Sequence, residues 1–416
     1  MANPYIVRTS EAWIRELLAD VPAVMLVGPR ASGKTTLALR HAKTVLRLDL
    51  PEVRAAVAAD PDGVLREAES PVLVDEWQLE PSCLGAAKRL VDVDDSPGRF
   101  LFTGSAADEL GPHAWSATGR FVRLPIWGLT RHEIEDGARK GTFFDRVADE
   151  DFDGTFPLPA PANRPDTAGY IERALASGFP QAVHRSSERT RVAWLNSYID
   201  HLVARDAALI AEVRDPSKLR RYLRILAQST AGCPSLRTLL DASELNRETA
   251  QRYDHLLERL FVVEQVPAWS SNRLNRLSAL PKRYVCDMGI AAALTGVSLR
   301  TILRDGDLLG RVMDTFVAAQ LRPELTLGQS PVSMFHVRQD GRKEVDLLLE
   351  RRDGALVAIE VKAATTAVLH DARHLCWLRD KLGPQMFKAG IVFYTGARVL
   401  RLEERIWAVP LCALWA

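Results

Sequence analysis

Lys34, Thr35, Asp75 and Glu76 are the residue types, at the spacing, that chemistry on a nucleoside triphosphate requires. Lys34 and Thr35 close the run Gly28-Pro29-Arg30-Ala31-Ser32-Gly33-Lys34-Thr35, a complete G-x-x-x-x-G-K-T phosphate loop. The loop amides and the start of the following helix cradle phosphate anions. The Lys34 ammonium reaches the β- and γ-phosphates, and the Thr35 hydroxyl is a ligand for Mg²⁺. Thr36 completes the set of nucleotide-binding candidates. Downstream, Val72-Leu73-Val74 runs into Asp75-Glu76. Asp75 is expected to hold the metal, directly or through water, and Glu76 to polarise the attacking water as general base. Arg99–Thr103 ends in small polar residues, with Thr103 or Ser105 as a γ-phosphate sensor; a simple polar turn is the competing reading.

These side chains need a scaffold. Ala23–Val27 is short, apolar and β-prone, and Thr36–Ala42 has helical apolar spacing, so the loop lies between strand and helix as the motif demands. Further strands are expected at 45–49, 71–75, 99–103 and 121–124, alternating with helical stretches. That is the pattern of a parallel sheet covered on both faces. It predicts an α/β P-loop ATPase domain over residues 1–150. A proline-rich linker follows at 151–166, then a helical segment at 167–215.

Residues 216–290 read as a winged helix: helices at 218–229, 235–240 and 246–260, then wing strands at 261–266 and 282–286. Arg214, Lys218, Arg220, Arg221 and Arg224, with Arg273, Arg276, Lys282 and Arg283 around the wing, are candidate phosphate contacts. DNA or RNA is therefore a candidate partner, and an internal packing module is the alternative.

A second constellation lies in the last segment, 291–416. Asp346 is set in one strand; Glu360 and Lys362 alternate on the next and so share a face. Asp346 and Glu360 are candidate Mg²⁺ ligands, with Asp314 on a preceding helix as a further acid. Lys362 is placed to orient the attacking water and steady developing charge. The layout suits metal-dependent phosphodiester cleavage. The alternative is a salt-bridged remnant of such a site.

Taken in order, these motifs resemble the bacterial and archaeal ATP-binding proteins that join an AAA+ type ATPase domain to a C-terminal DUF4143 domain. The resemblance is carried by the Gly28–Thr35 loop, Asp75-Glu76-Trp77-Gln78, Phe102-Thr103-Gly104-Ser105 with Thr118-Gly119-Arg120, and Gly178-Phe179-Pro180. Tyr198 with Arg205-Asp206, Pro281–Gly289, Glu344-Val345-Asp346 and Glu360-Val361-Lys362 complete it. It implies an AAA+ ATPase with ATP and Mg²⁺ as cofactors, and a PD-(D/E)xK, restriction-endonuclease-like C-terminal domain. It also implies Arg120 as a γ-phosphate-facing arginine, in cis or across the contact of a homo-oligomer. Ser177 stands where the family usually has Gly, and Asp314 where it more often has Glu.

Composition sets outer bounds. The 416 residues are 47% hydrophobic and 26% charged, a globular balance. Fifty-four basic against 53 acidic residues leave a net charge of +1, which does not by itself announce nucleic acid. Five scattered cysteines make neither a zinc set nor a disulfide framework. With no signal-peptide layout and no bilayer-length apolar run, a cytoplasmic location without membrane contact is expected. The sequence thus predicts an ATPase whose nucleotide state controls a nuclease-like domain acting on nucleic acid. The alternative is a nucleotide-switched regulatory or interaction protein with an inactive nuclease-like fold.

Overall fold

The computed structural model describes residues 4–104, 119–135, 141–148, 156–157, 164–207, 215–272, 276, 279–339 and 343–415. Ser105, Thr118, Arg214, Arg273 and most of the proline-rich stretch lie outside them. The chain divides into two compact units. One holds residues 7–129 with 259–261; the other holds 1–6, 130–258 and 262–416. Apart from 259–261, the chain from residue 130 onward groups into a single unit.

The first unit is a parallel sheet of β1 (Ala23–Val27), β2 (Thr44–Arg47), β3 (Val72–Asp75), β4 (Phe100–Thr103) and β5 (Phe121–Pro125). The strand order is β2-β3-β4-β1-β5, every pairing parallel. Every residue of β1, β3 and β4 is buried, as continuous apolar runs in a two-sided sheet must be. One face packs on the helix Ser82–Val93, whose Cys83, Leu84, Ala86, Ala87, Leu90 and Val91 form its apolar stripe. Trp77, Phe100 and Phe102 fill the same core. Because β4 lies between β1 and β3, the phosphate loop and Asp75-Glu76 flank a middle strand at one end of the sheet.

The second unit is built on a six-stranded sheet, order β12-β13-β11-β10-β9-β8. The strands are β8 (Val332–Gln339), β9 (Lys343–Arg351), β10 (Leu356–Lys362), β11 (Phe387–Tyr394), β12 (Leu400–Glu403) and β13 (Ile406–Pro410). The pairs β8–β9 and β9–β10 are antiparallel; β10–β11 and β11–β13 are parallel. β12 and β13 were not anticipated. Leu375 and Leu378 of the helix Arg373–Leu382 close the core over this sheet. The helix Gly306–Leu321 is nearly all buried from Val312 to Leu321.

Between them in sequence come helices Pro216–Gln228, Leu236–Ser243 and Arg247–Arg259, then the antiparallel pair β6 (Val263–Val266) and β7 (Lys282–Val285). Gly232 makes a further antiparallel bridge to Arg283. The helix starts are capped by side chains: Asp215 accepts from Ser217 N, Ser235 from Thr238 N and Asn246 from Thr249 N.

Candidate functional sites

The phosphate loop takes its shape from three residues with positive φ: Gly28 at 138°, Ala31 at 59° and Gly33 at 98°. A Cβ on Gly28 would lie 2.2 Å from the Ile126 carbonyl oxygen, so only glycine fits there. The following helix, Lys34–Ala38, has five residues and is shorter than its apolar spacing suggested. With so little helix, the loop amides and Lys34 must carry most of the anion attraction. Lys34 is buried, and its ammonium donates to the carbonyls of Gly28 at 2.9 Å and Pro29 at 2.8 Å. Burial lowers its pKa to about 8.

Asp75 joins the loop to β3 and β4. Its Oδ1 accepts from the Thr35 hydroxyl at 2.8 Å and from the Thr103 hydroxyl at 2.5 Å. Register explains the second bond, since Asp75 and Thr103 are paired across the parallel strands. Glu76 begins the turn with φ 57° and ψ 44°, left-handed backbone that a non-glycine residue adopts at a cost. Gln78 donates to its carboxylate. Gly104, after Thr103, lies where a Cβ would meet Gln78 Oε1 at 2.6 Å and Trp77 Nε1 at 2.7 Å. The paired motifs Asp75-Glu76-Trp77-Gln78 and Phe102-Thr103-Gly104 are thus one close-packed turn. Arg8 is a residue that sequence reasoning missed. Though buried, it donates to the Ser32 carbonyl at 3.3 Å and the Trp127 carbonyl at 2.6 Å, bracing the loop from behind.

Arg120 requires a correction. It precedes β5, whose first residue Phe121 pairs with Ala23, the first residue of β1. The phosphate loop leaves the other end of β1, four residues on, or about 13 Å. Arg120 Nε instead donates to Asp92 at 2.9 Å. It does not face the γ-phosphate position of its own chain.

In the second unit, Asp314, Asp346, Glu360 and Lys362 do converge, together with a residue expected elsewhere. Lys282, read from sequence as a wing contact for phosphate, is 1% exposed. Its Nζ lies 2.5 Å from Asp314 Oδ2, 3.2 Å from Asp346 Oδ1 and 3.3 Å from the Asp346 carbonyl oxygen. Tyr284 donates to Asp314 Oδ1 at 2.8 Å, and Val361 N to Asp346 Oδ2 at 2.9 Å. Lys362 donates to Glu360 Oε2 at 2.8 Å. Burial pushes the Asp314 carboxyl up to about 6 against the pull of Lys282. Burial, and then the charge of Asp346, also raise Glu360. For Asp346 burial acts upward, but Lys282 and the Val361 amide bring the net shift below the ordinary value. Burial alone would depress Lys282; Asp314 and Asp346 together lift it well above its usual value. As arranged, these residues do not fit a resident Mg²⁺, because both Asp346 oxygens and both Asp314 oxygens are already engaged. Among the described residues no group of three or more His, Cys, Asp or Glu is arranged to hold a metal ion.

Among the described residues, the other cations read from sequence as wing contacts are likewise committed. Arg283 is buried and makes two hydrogen bonds to Asp254, at 2.6 and 2.9 Å. Arg276 is bidentate to Glu350 and lies over the rings of Trp269 and Phe335. Arg220 and Arg221 pair with Asp200 and Glu244. Lys218 and Arg224 remain exposed.

The turn Ser177-Gly178-Phe179-Pro180 and the stretch Asp287-Met288-Gly289 form one clasp. Buried Asp287 accepts from Gly178 N at 2.8 Å and Ile290 N at 3.1 Å. A Cβ on Gly289 would lie 2.8 Å from Ser177 Cβ. Ser177 has φ 68°, the reason glycine is the easier residue there.

Comparisons with known proteins agree with this layout. Residues 20–135 match an AAA domain, 167–301 a domain of unknown function (DUF8612) and 309–414 a domain of unknown function (DUF4143). The first and last matches agree with the resemblance drawn from the motifs; the middle one was not anticipated. Uncharacterized proteins of Mycobacterium tuberculosis and Mycobacterium bovis are each 27% identical over 407 residues, covering 97% of this chain and 83% of theirs. A Walker-type ATPase of Pyrococcus abyssi aligns over 71% of this chain and 99% of its own, at 13% identity and a TM-score of 0.42. The parallel sheet, the phosphate loop and the AAA match together define the first unit as a P-loop domain of ATPase type. No helix among the described residues is long and apolar enough to cross a membrane.

Proposed function

We propose that the chain binds ATP with Mg²⁺ at the Gly28–Thr35 loop and hydrolyses the γ-phosphate. Asp75 carries this reading: a buried carboxylate that accepts from the Thr35 and Thr103 hydroxyls, beside a buried lysine whose ammonium donates to loop carbonyls. Gly28, Pro29, Arg30, Ala31, Ser32, Gly33 and Thr36 would wrap the phosphates, with Lys34 on the β- and γ-oxygens. Thr35 and Asp75 are hard oxygen donors suited to Mg²⁺. When bound, that ion neutralises charge on the phosphate oxygens. Glu76 would take the proton of the attacking water, and Thr103 would hold Asp75 in place. Calorimetric titration of Mg-ATP tests the binding step. Lys34→Ala is expected to weaken it by about tenfold or more through loss of a charge-assisted contact. Equal affinity would contradict the assignment.

For the second unit we propose a nuclease-like fold in a non-cleaving form. The middle segment is then a winged-helix packing module, and the whole a nucleotide-switched regulatory or interaction protein. The neutralisation of Asp314 and Asp346 by Lys282, and of Glu360 by Lys362, supports this over cleavage. The commitment of Arg276, Lys282 and Arg283 to internal acids supports packing over phosphate contact. Incubation with DNA or RNA, Mg²⁺ or Mn²⁺, with and without ATP, should give no cutting; cutting abolished by Asp346→Ala would overturn it. The five cysteines are all unpaired, which suits the cytoplasmic placement we favour.

A further inference from the structure

We propose that the second unit binds a small organic carboxylate with an apolar body, in a cavity between the helices Glu188–His201 and Met288–Thr295. The cavity has a volume of about 800 Å³, a size typical of small-molecule sites. The sequence explains why it is there. Glu188, Arg191, Val192, Leu195 and Asn196 recur at the intervals of one helix face and form one wall. The facing helix contributes Ala292 and Ala293, with Gly296 just beyond its end. Side chains this small do not fill the space between two helices to the density of a packed core. Leu175, Val183, Val297 and Leu299 line the remainder and are each only half-buried.

One polar group in these walls is unsatisfied. Arg191 Nε is buried and has no hydrogen-bond partner, and its guanidinium makes no ion pair with any described residue. The other two arginines lining the cavity, Arg131 and Arg173, both pair with Glu135. Glu172 and Glu188 also line it, but both are exposed, where water satisfies them. A guanidinium has donors and no acceptor, so the cavity lacks an acceptor. A carboxylate supplies one in the planar, two-pronged geometry that arginine favours. Val192, the next residue, is apolar yet 41% exposed. Together with the half-buried aliphatic walls it calls for an apolar body behind the carboxylate. A ligand of this class satisfies the unpartnered donor and covers the apolar lining at once.

The inference concerns the second unit alone and stands whether or not the chain hydrolyses ATP. It is tested on the nucleotide-free full chain by calorimetric titration with naphthylacetate and with octanoate, each compared with its neutral amide. The expected result is a single saturable site that takes at least one of the two carboxylates about tenfold or more tightly than its amide. Arg191→Met keeps a long apolar side chain and a good helix former; it should bring the carboxylate down to the affinity of the amide. Ala293→Leu narrows the cavity and should weaken acid and amide alike, with circular dichroism confirming that each variant is folded. Failure of both carboxylates to bind folded wild type would overturn the inference. So would equal affinity for acid and amide, or a preference for the acid that survives in Arg191→Met. Unchanged binding by folded Ala293→Leu would overturn it as well.

Discussion

Thr35 donates its hydroxyl to Asp75 at 2.8 Å, joining the phosphate loop after β1 to the end of β3 although β4 lies between those strands. The bond places a threonine hydroxyl and a buried carboxylate together before any nucleotide arrives. Asp75→Ala should leave the fold intact and remove the Mg²⁺ dependence of ATP binding. Titrating ATP with and without Mg²⁺ checks it; a persistent Mg²⁺ effect in the variant would move the metal elsewhere.

Lys34 gives a pH signature. Its pKa near 8 in the free protein is set first by burial, and bound phosphate charge must raise it. Above pH 8, binding of ATP therefore takes up protons, and affinity falls as pH rises. Calorimetry at pH 8.5 in buffers of different ionisation heat should show net uptake; proton release would contradict the burial of this ammonium. The same depressed value costs stability in full below about pH 8, and that cost is relieved as pH rises from there towards the ordinary lysine value of 10.5.

Arg120 is at the end of the sheet remote from the loop, paired with Asp92. In dilute monomeric protein, Arg120→Ala should change ATP turnover by no more than about twofold, the cost of a surface pair being small. A larger loss that appears only as concentration rises would assign it to a neighbouring copy's site. A large loss at every concentration would contradict the position described.

Asp287→Ala should destabilise the second unit by about 2–4 kcal/mol, since the amides of Gly178 and Ile290 lose their buried acceptor. Chemical denaturation would show it as a lower midpoint with unchanged Mg-ATP affinity. A stable variant would mean that the clasp is dispensable.

What could be read from sequence was local. The phosphate loop is eight contiguous residues with its own backbone demands, and β1 was legible because an apolar run before such a loop has one use. Lys282 was not, because its acids lie 32 and 64 residues away and nothing near it distinguishes a buried lysine from a solvated one. Arg120 could have been placed: a residue before a parallel strand falls at the end opposite a loop that follows one. β12 and β13 were missed because no motif of the kind that marked β1 adjoins them.

Phosphate release from Mg-ATP by wild type and Glu76→Gln reads the proposed hydrolysis itself. Turnover by wild type is expected, with a loss of about 10²–10⁴-fold in the variant and ATP still bound. No release by the folded wild type, or an unchanged rate in Glu76→Gln, would contradict it.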